Sequence, residues 1–196
     1  MSRVKAPKTN NRREQIVQAA AKLFREFGFN GTSVEDIAKE VNLPKGGIYN
    51  HIKNKEELLY EIITHAIVQF LPGLREIKSS RDDIKVKLWR AVYTNVFSLT
   101  TNHEWVSVFL QDRKALSRKH YLKYLCYRDE VEEIFKNIIK QGMKAGVFRK
   151  CDLNLTTFAI LGMCNSVIHW YRPEGRVSAD KIAVFFAEAA MNIVRL

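Results

Sequence analysis

Cysteine is scarce. The chain has three, Cys126, Cys151 and Cys164, with neither a Cys-x-x-Cys pair nor Cys/His ligand spacing. This argues against a disulfide framework and a zinc site, and it suits a reducing cytoplasm. Long apolar runs are missing as well: none reaches the roughly 18 residues that a membrane span needs. The N-terminus has basic residues but no apolar core segment, so it does not read as a secretory signal. Period-two alternation never persists, which removes strands from the expectation and leaves an all-α chain. Internal repeats and low-complexity tracts are also absent. Acidic residues are the minority charge, 21 against 32 Lys and Arg, for a formal net charge of +11. Such a balance favours a polyanionic partner without specifying which.

What is present is concentrated in residues 32–52, Thr-Ser-Val-Glu-Asp-Ile-Ala-Lys-Glu-Val-Asn-Leu-Pro-Lys-Gly-Gly-Ile-Tyr-Asn-His-Ile. Val34, Ile37, Ala38 and Val41 recur at helical spacing, and Ala38 is small where a second helix must pass close by. Asn42 stands at a turn that commonly requires positive φ. Pro44 cannot continue the first helix, and its fixed φ suits the start of the second. Ile48 and Ile52 face the core, leaving Lys45, Gly46, Gly47, Tyr49, Asn50 and His51 for a partner. This is a helix-turn-helix, the unit that places a helix in the DNA major groove. Its start is capped by Thr32 with Glu35 or by Ser33 with Asp36, and Asn54 with Glu57 opens the next helix. An ordinary helical hairpin is the bland alternative. The first thirteen residues carry five Lys or Arg, including Arg12 and Arg13, and no acid. They form an arm that either contacts DNA or merely solubilises the chain.

The remainder reads as helices. Residues 11–27 place Ile16, Ala19, Ala20, Leu23, Phe24 and Phe27 on one stripe, stopped by Gly28. Residues 54–78 form a longer helix that Pro72-Gly73 kinks or ends. Further helices are expected near 82–100, 104–112, 117–145, 153–171 and 178–195, with Gly146 closing the third of these and Ser178 capping the last. The architecture is a three-helix DNA-binding head, residues 1–53, on a helical body, residues 54–196.

From Arg13 to Leu59 the chain closely resembles the DNA-binding domain of the TetR family of transcriptional regulators. The resemblance is carried by Ile16, Ala19, Ala20, Leu23, Phe24, Gly28, Thr32, Ser33, Val34, Ile37, Ala38, Leu43, Lys45, Gly46, Ile48, Tyr49, His51, Lys55, Glu56 and Leu58. The chain departs from the pattern at Asn42, where Gly is usual, at Gly47, where Thr or Ser is frequent, and at Ile52, where Phe is usual. The resemblance implies that Lys45, Tyr49 and His51 contact DNA and that Ser33 and Lys55 meet phosphates at helix N-termini. It also implies a homodimer through the last two helices, with Leu161, Cys164, Val167, Ile168, Tyr171, Phe185, Phe186, Ala189 and Met191 at the interface.

In the body, Trp89, Tyr93, Phe97, Trp105, Phe109, Tyr121, Tyr124, Phe158 and Trp170 read as plain core, or as the walls of a cavity between helices. Residues 113–128 hold Arg113, Lys114, Arg118, Lys119, Lys123 and Arg128 with no acid, interleaved with tyrosines. This is either a solvated helix face or the mouth of a pocket for a phosphate-bearing ligand. The run Phe109 to Ser117, Arg128-Asp129 and the stretch from Gly162 to Arg176 resemble acyl-CoA-responsive TetR regulators. That resemblance implies a CoA thioester as effector, with Trp89, Tyr93, Trp105, Phe109, Arg113, Tyr124, Arg128, Asn165 and Trp170 as candidate contacts. The resulting expectation is a cytoplasmic repressor, released from operator DNA by an acyl-CoA and without cofactor, metal or membrane partner. The alternatives are a repressor responding to a drug or other apolar molecule, an enzyme acting on CoA thioesters, and a sequence-indifferent DNA-coating protein. The enzyme is disfavoured because His51, His65, His103, His120 and His169 are dispersed, outside any nucleophile or metal-ligand arrangement.

Overall fold

The computed structural model describes residues 11–196, which are helical with no strand among them. The elements are α1 (Asn11–Gly31), α2 (Val34–Glu40), α3 (Lys45–Ile48), α4 (Lys55–Ser79), α5 (Ile84–Thr101), α6 (His103–Asp112), a 3₁₀ turn (Arg113–Ala115), α7 (Arg118–Lys144), α8 (Leu153–Trp170) and α9 (Ala179–Val194). Most of the basic N-terminal arm, residues 1–10, lies outside the described residues. Among the described residues no helix is long and apolar enough to cross a membrane.

The chain divides into two compact units: residues 1–65 with 104–121, and residues 66–103 with 122–196. The first holds the helix-turn-helix. Ile16, Ala20 and Phe24 of α1, Ile37 and Ala38 of α2, Ile48 of α3 and Leu58, Leu59 and Ile62 of α4 are all buried. Within α1 the helical path breaks at Gly28, whose φ of 76° is one that side chains with a Cβ rarely adopt. The second unit is a helical core in which α5 meets α8 and α9, with Leu88, Val92, Phe135, Ile138, Ile160, Val167 and Ala187 buried. Gly142 is required there by proximity: a Cβ would fall 2.0 Å from the Phe148 ring.

One expectation narrows and one changes. Of the two outcomes expected at Pro72-Gly73, an end is excluded, because α4 spans Lys55–Ser79 with Pro72 inside it, close to the expected 54–78. Leu71, Leu74 and Ile77 are buried on both sides of it, and that burial outweighs one missing helical hydrogen bond. The aromatic set expected as core is also displaced. Phe97, Tyr121, Phe158 and Trp170 are exposed, and Trp89, Tyr93, Trp105, Phe109 and Tyr124 are only half-buried. The buried rings among the described residues are Phe24, Phe70, Phe135, Phe148, Tyr171 and Phe186. On α5 the displaced rings cover one another, Trp89 on Tyr93 with centroids 5.2 Å apart and Tyr93 on Phe97 at 5.6 Å. The phenol of Tyr93 needs a polar partner, and it donates to Asp180 Oδ1 at 2.8 Å.

Candidate nucleic-acid interface

The helix-turn-helix is built as its residues dictate. Ser33, not Thr32, is the N-cap of α2: its hydroxyl accepts from the Asp36 N–H at 3.1 Å, and Asp36 Oδ2 accepts from the Ser33 N–H at 2.9 Å. The Ser33 hydroxyl also donates to Asp36 Oδ2 at 2.6 Å, and this bond first, with the Ser33 N–H second, holds the Asp36 carboxyl below the usual carboxylate range. Thr32 is buried and spends its hydroxyl on the carbonyls of Leu23 and Gly28. Asn42 takes φ 54° at the turn, and Pro44 is the N-cap of α3 at φ −63°. Ile48 and Ile52 point inward, so Lys45, Gly46, Tyr49 and Asn50 are left exposed. Gly47 is partly covered, because a Cβ there would lie 3.1 Å from the Pro44 ring.

Several expected DNA contacts are committed to other tasks. Lys55 donates to the carbonyls of Phe29 at 2.7 Å and Thr32 at 2.8 Å, and its ammonium lies over the Phe29 ring. Burial lowers its pKa. It therefore fastens the α1–α2 turn, and its expected phosphate contact is not supported by this placement. Arg13 likewise bonds the His51 carbonyl and pairs with Glu61 at 2.7 Å, which fixes the end of the recognition segment from behind. Arg12 bonds Gln15 on the surface. Lys45 pairs with Glu35, but both side chains are exposed and such a surface pair costs little to exchange for a phosphate. These partners could not be read from the local pattern, which gives a charge but not the distant carbonyl that meets it.

The segment after α5 is part of the same unit. Asp112 Oδ2 accepts from the Phe29 N–H at 3.0 Å, and Glu56 Oε1 accepts from the Ser117 N–H at 2.9 Å. Burial raises the Asp112 carboxyl despite that bond. His65 stacks on Trp105 with centroids 4.0 Å apart, and burial lowers its pKa.

On α8 and α9 the expected interface residues separate into two groups. Cys164, Val167, Tyr171 and Phe186 are buried in the core of the second unit, with the Cys164 thiol pushed up to about 12 by burial. For these four the dimer-face expectation is corrected: the helical stripe they share is the inner one. Phe185 is 67% exposed, and Leu161, Ile168, Ala189 and Met191 are partly covered. Leu155 and Phe158, which sequence reasoning left out of the interface, are 69% and 52% exposed. Their i, i+3 spacing, continued by Ala159 and Gly162, was the available signal.

The expected effector contacts are spread over both units. Trp105, Phe109 and Arg113 belong to the first, with the Arg113 guanidinium over the Phe109 ring. Trp89, Tyr93, Tyr124, Arg128, Asn165 and Trp170 belong to the second, where Arg128 pairs with Asp129 and Asn165 and Trp170 are open to solvent. A cleft of about 440 Å³ between α4 and α7 is lined by Arg75, Lys78, Glu130, Asn137 and Gln141, and by none of the expected contacts. Among the described residues no His, Cys, Asp and Glu cluster could hold a metal ion.

Comparison with known proteins agrees with this geometry. Residues 16–62 match the bacterial regulatory proteins of the tetR family, and residues 81–194 match the tetracyclin repressor-like C-terminal domain. The HTH-type transcriptional repressor KstR2 of Rhodococcus jostii is 29% identical over 176 residues, covering 89% of this chain and 86% of that protein. The crystal structure of PfmR, a TetR family transcriptional regulator from Thermus thermophilus, is 34% identical. It superposes with a TM-score of 0.82 and covers 90% of this chain and 97% of that one. AibR, solved in complex with isovaleryl coenzyme A and operator DNA, has the same fold at 24% identity and a TM-score of 0.78, over 91% of this chain and 97% of that one. These relatives are regulators rather than enzymes, and this chain belongs to the TetR family of DNA-binding transcriptional regulators.

Proposed function

We propose that the protein is a homodimeric repressor that holds operator DNA through residues 33–51 and is released by an acyl-CoA thioester. The observation that carries the DNA part is the recognition segment itself. Asn42 turns the chain, Ile48 and Ile52 anchor it, and Lys45, Gly46, Tyr49 and Asn50 remain open for base edges and phosphates. The Ser33 end of α2 adds backbone amides suited to a phosphate. Residues 1–53 carry the DNA reading in this view, and residues 54–196 the effector and the second copy.

The dimer is supported by Leu155, Phe158 and Phe185, large apolar side chains left exposed on α8 and α9. A two-fold dimer presents two heads to half-sites about one DNA turn, ~34–36 Å, apart. The acyl-CoA effector is supported by the likeness to AibR and by the sequence resemblance of 109–117 and 162–176 to regulators of that kind. An effector weakens DNA binding only by preferring a head spacing that DNA does not accept, and a hundredfold release requires about 2.7 kcal/mol of coupling. In this reading α4, whose residues fall in both units, serves as the mechanical link.

The test is thermal melting of purified protein against coenzyme A and acyl-CoAs of graded length. An effector at a hundred times its dissociation constant adds about 2.7 kcal/mol of stability. A chain-length-dependent rise that free coenzyme A does not produce supports the thioester reading. A flat response removes it and moves the search to other apolar effectors, leaving the DNA reading in place.

A further inference from the structure

The basic stretch after α6 has an address that its sequence does not disclose. Residues 104–121 lie in the compact unit that holds the helix-turn-helix. Three contacts fasten them there: the Phe29 N–H to Asp112, the Ser117 N–H to Glu56, and His120 Nδ1 at 2.6 Å from the same Glu56 oxygen. The His120 ring also stacks on Tyr60 with centroids 4.6 Å apart. Glu56 belongs to the first turn of α4. Only Lys53 and Asn54 separate Lys55 from Ile52, the last residue of the recognition segment, a chain reach of at most about 11 Å. The start of α7 is therefore held at the end of the head where the recognition segment finishes.

What it presents there is positive charge. Lys114, Arg118 and Lys119 are exposed, and so is Lys53, next to the recognition segment in sequence. The acids packed against this segment are already committed. Asp112 accepts from Phe29, Glu56 accepts from Ser117 and His120, and Glu57 accepts from the Lys53 N–H at 3.0 Å. Exposed cations on a segment bonded to the first turn of α4, a few residues past the recognition segment, suit phosphates flanking the bases that are read, because such contacts set register without regard to sequence.

We infer that Lys114, Arg118 and Lys119 form an accessory contact to duplex DNA, gripping backbone phosphates beside the site met by the recognition segment. This rests on the DNA reading of residues 33–51. It also assigns part of the +11 charge to a definite place on the molecule.

The experiment compares wild type with two full-length triple variants. One is Lys114→Gln, Arg118→Gln, Lys119→Gln. The other removes the same charge from exposed lysines of the second unit, Lys140→Gln, Lys144→Gln, Lys150→Gln. Affinity for a random-sequence 40-base-pair duplex is followed across salt, where each lost phosphate contact flattens the slope of log K against log salt by about 0.9. The first variant should flatten the slope by about 2–3, while the second should leave it within about one unit of wild type. Equal shifts in both variants would reduce the effect to net charge, and no shift in the first would remove the contact. A first variant that keeps the DNA slope but loses thermal stabilisation by acyl-CoA would reassign the cluster to the effector and overturn the inference. Failure of the recognition-segment reading shows separately, as a Tyr49→Ala variant that binds a selected operator like wild type.

Discussion

Two surfaces of this chain are exposed with opposite chemistry. The recognition segment exposes Lys45, Tyr49 and Asn50 above a buried Ile48, so it offers donors and a phenol on a rigid apolar anchor. The outer faces of α8 and α9 expose Leu155, Phe158 and Phe185 above a buried Cys164, Val167 and Phe186. Polar groups lose nothing by waiting in water, whereas large apolar side chains in water are costly until something covers them. The first surface therefore suits a partner that comes and goes, and the second suits a partner that stays. The proposed repressor, leaving DNA while remaining a dimer, would need this asymmetry.

The comparison breaks most completely at the apolar surface. Phe158→Asp with Phe185→Asp should weaken dimerisation at least a hundredfold, since interface anchors contribute about 2 kcal/mol or more each. Sedimentation at micromolar concentration should show monomer, and DNA binding should fall with it. Both side chains are more than half exposed in the single chain, so the fold itself should persist.

Next in size is the polar surface. Tyr49→Ala should cost roughly 1–3 kcal/mol of specific DNA affinity, about ten- to more than a hundredfold, with sedimentation unchanged. If instead the dimer weakened and DNA affinity held, the two surfaces would have been assigned the wrong way round.

A smaller effect sharpens the account of how the polar surface is held. Asn42→Ala places a Cβ residue with low tolerance for the left-handed region at φ 54°, costing about 1–2 kcal/mol of stability by denaturant titration. Asn42→Gly should hold stability close to wild type, because glycine takes that conformation freely.

The smallest effect is acidic. Hydrogen bonds from Ser117, and less from His120, hold the Glu56 carboxyl below its ordinary value of 4.5. A carboxyl depressed in the folded state contributes stability that is present above 4.5 and is lost as pH falls through the depressed value. Glu56→Gln should therefore flatten the acid limb of a stability-against-pH curve while leaving the neutral region nearly unchanged.

How much of this was legible in the sequence follows from how local each signal is. The turn at Asn42, the anchors Ile48 and Ile52, the break at Gly28 and the start of α9 at Ser178 depend on neighbours within a few residues, and each stands where its pattern requires. The cap falls on Ser33 because the Thr32 hydroxyl is drawn inward to the Leu23 and Gly28 carbonyls at the end of α1, a use that the capping pattern of Thr32 with Glu35 does not reveal. Lys55 and Arg13 carry DNA-contact expectations from sequence because their partners in the structure lie 26 and 38 residues away along the chain. The aromatic residues of the body mark a shared helix face but not what covers that face, so self-stacked rings such as Trp89, Tyr93 and Phe97 are indistinguishable from core. On α8 the inner and outer stripes are both apolar, and sequence alone took Cys164 and Val167 for the outer one.

The central claim is that residues 33–51 read duplex DNA from a two-fold dimer. Selection of bound fragments from a random-sequence duplex library, run in parallel with wild type and Tyr49→Ala, tests it most directly. The account predicts that wild type enriches a palindrome with half-sites about one helical turn or a multiple of it apart, and that the variant enriches none. Enrichment of the same palindrome by both proteins, or of no site by either, would contradict it.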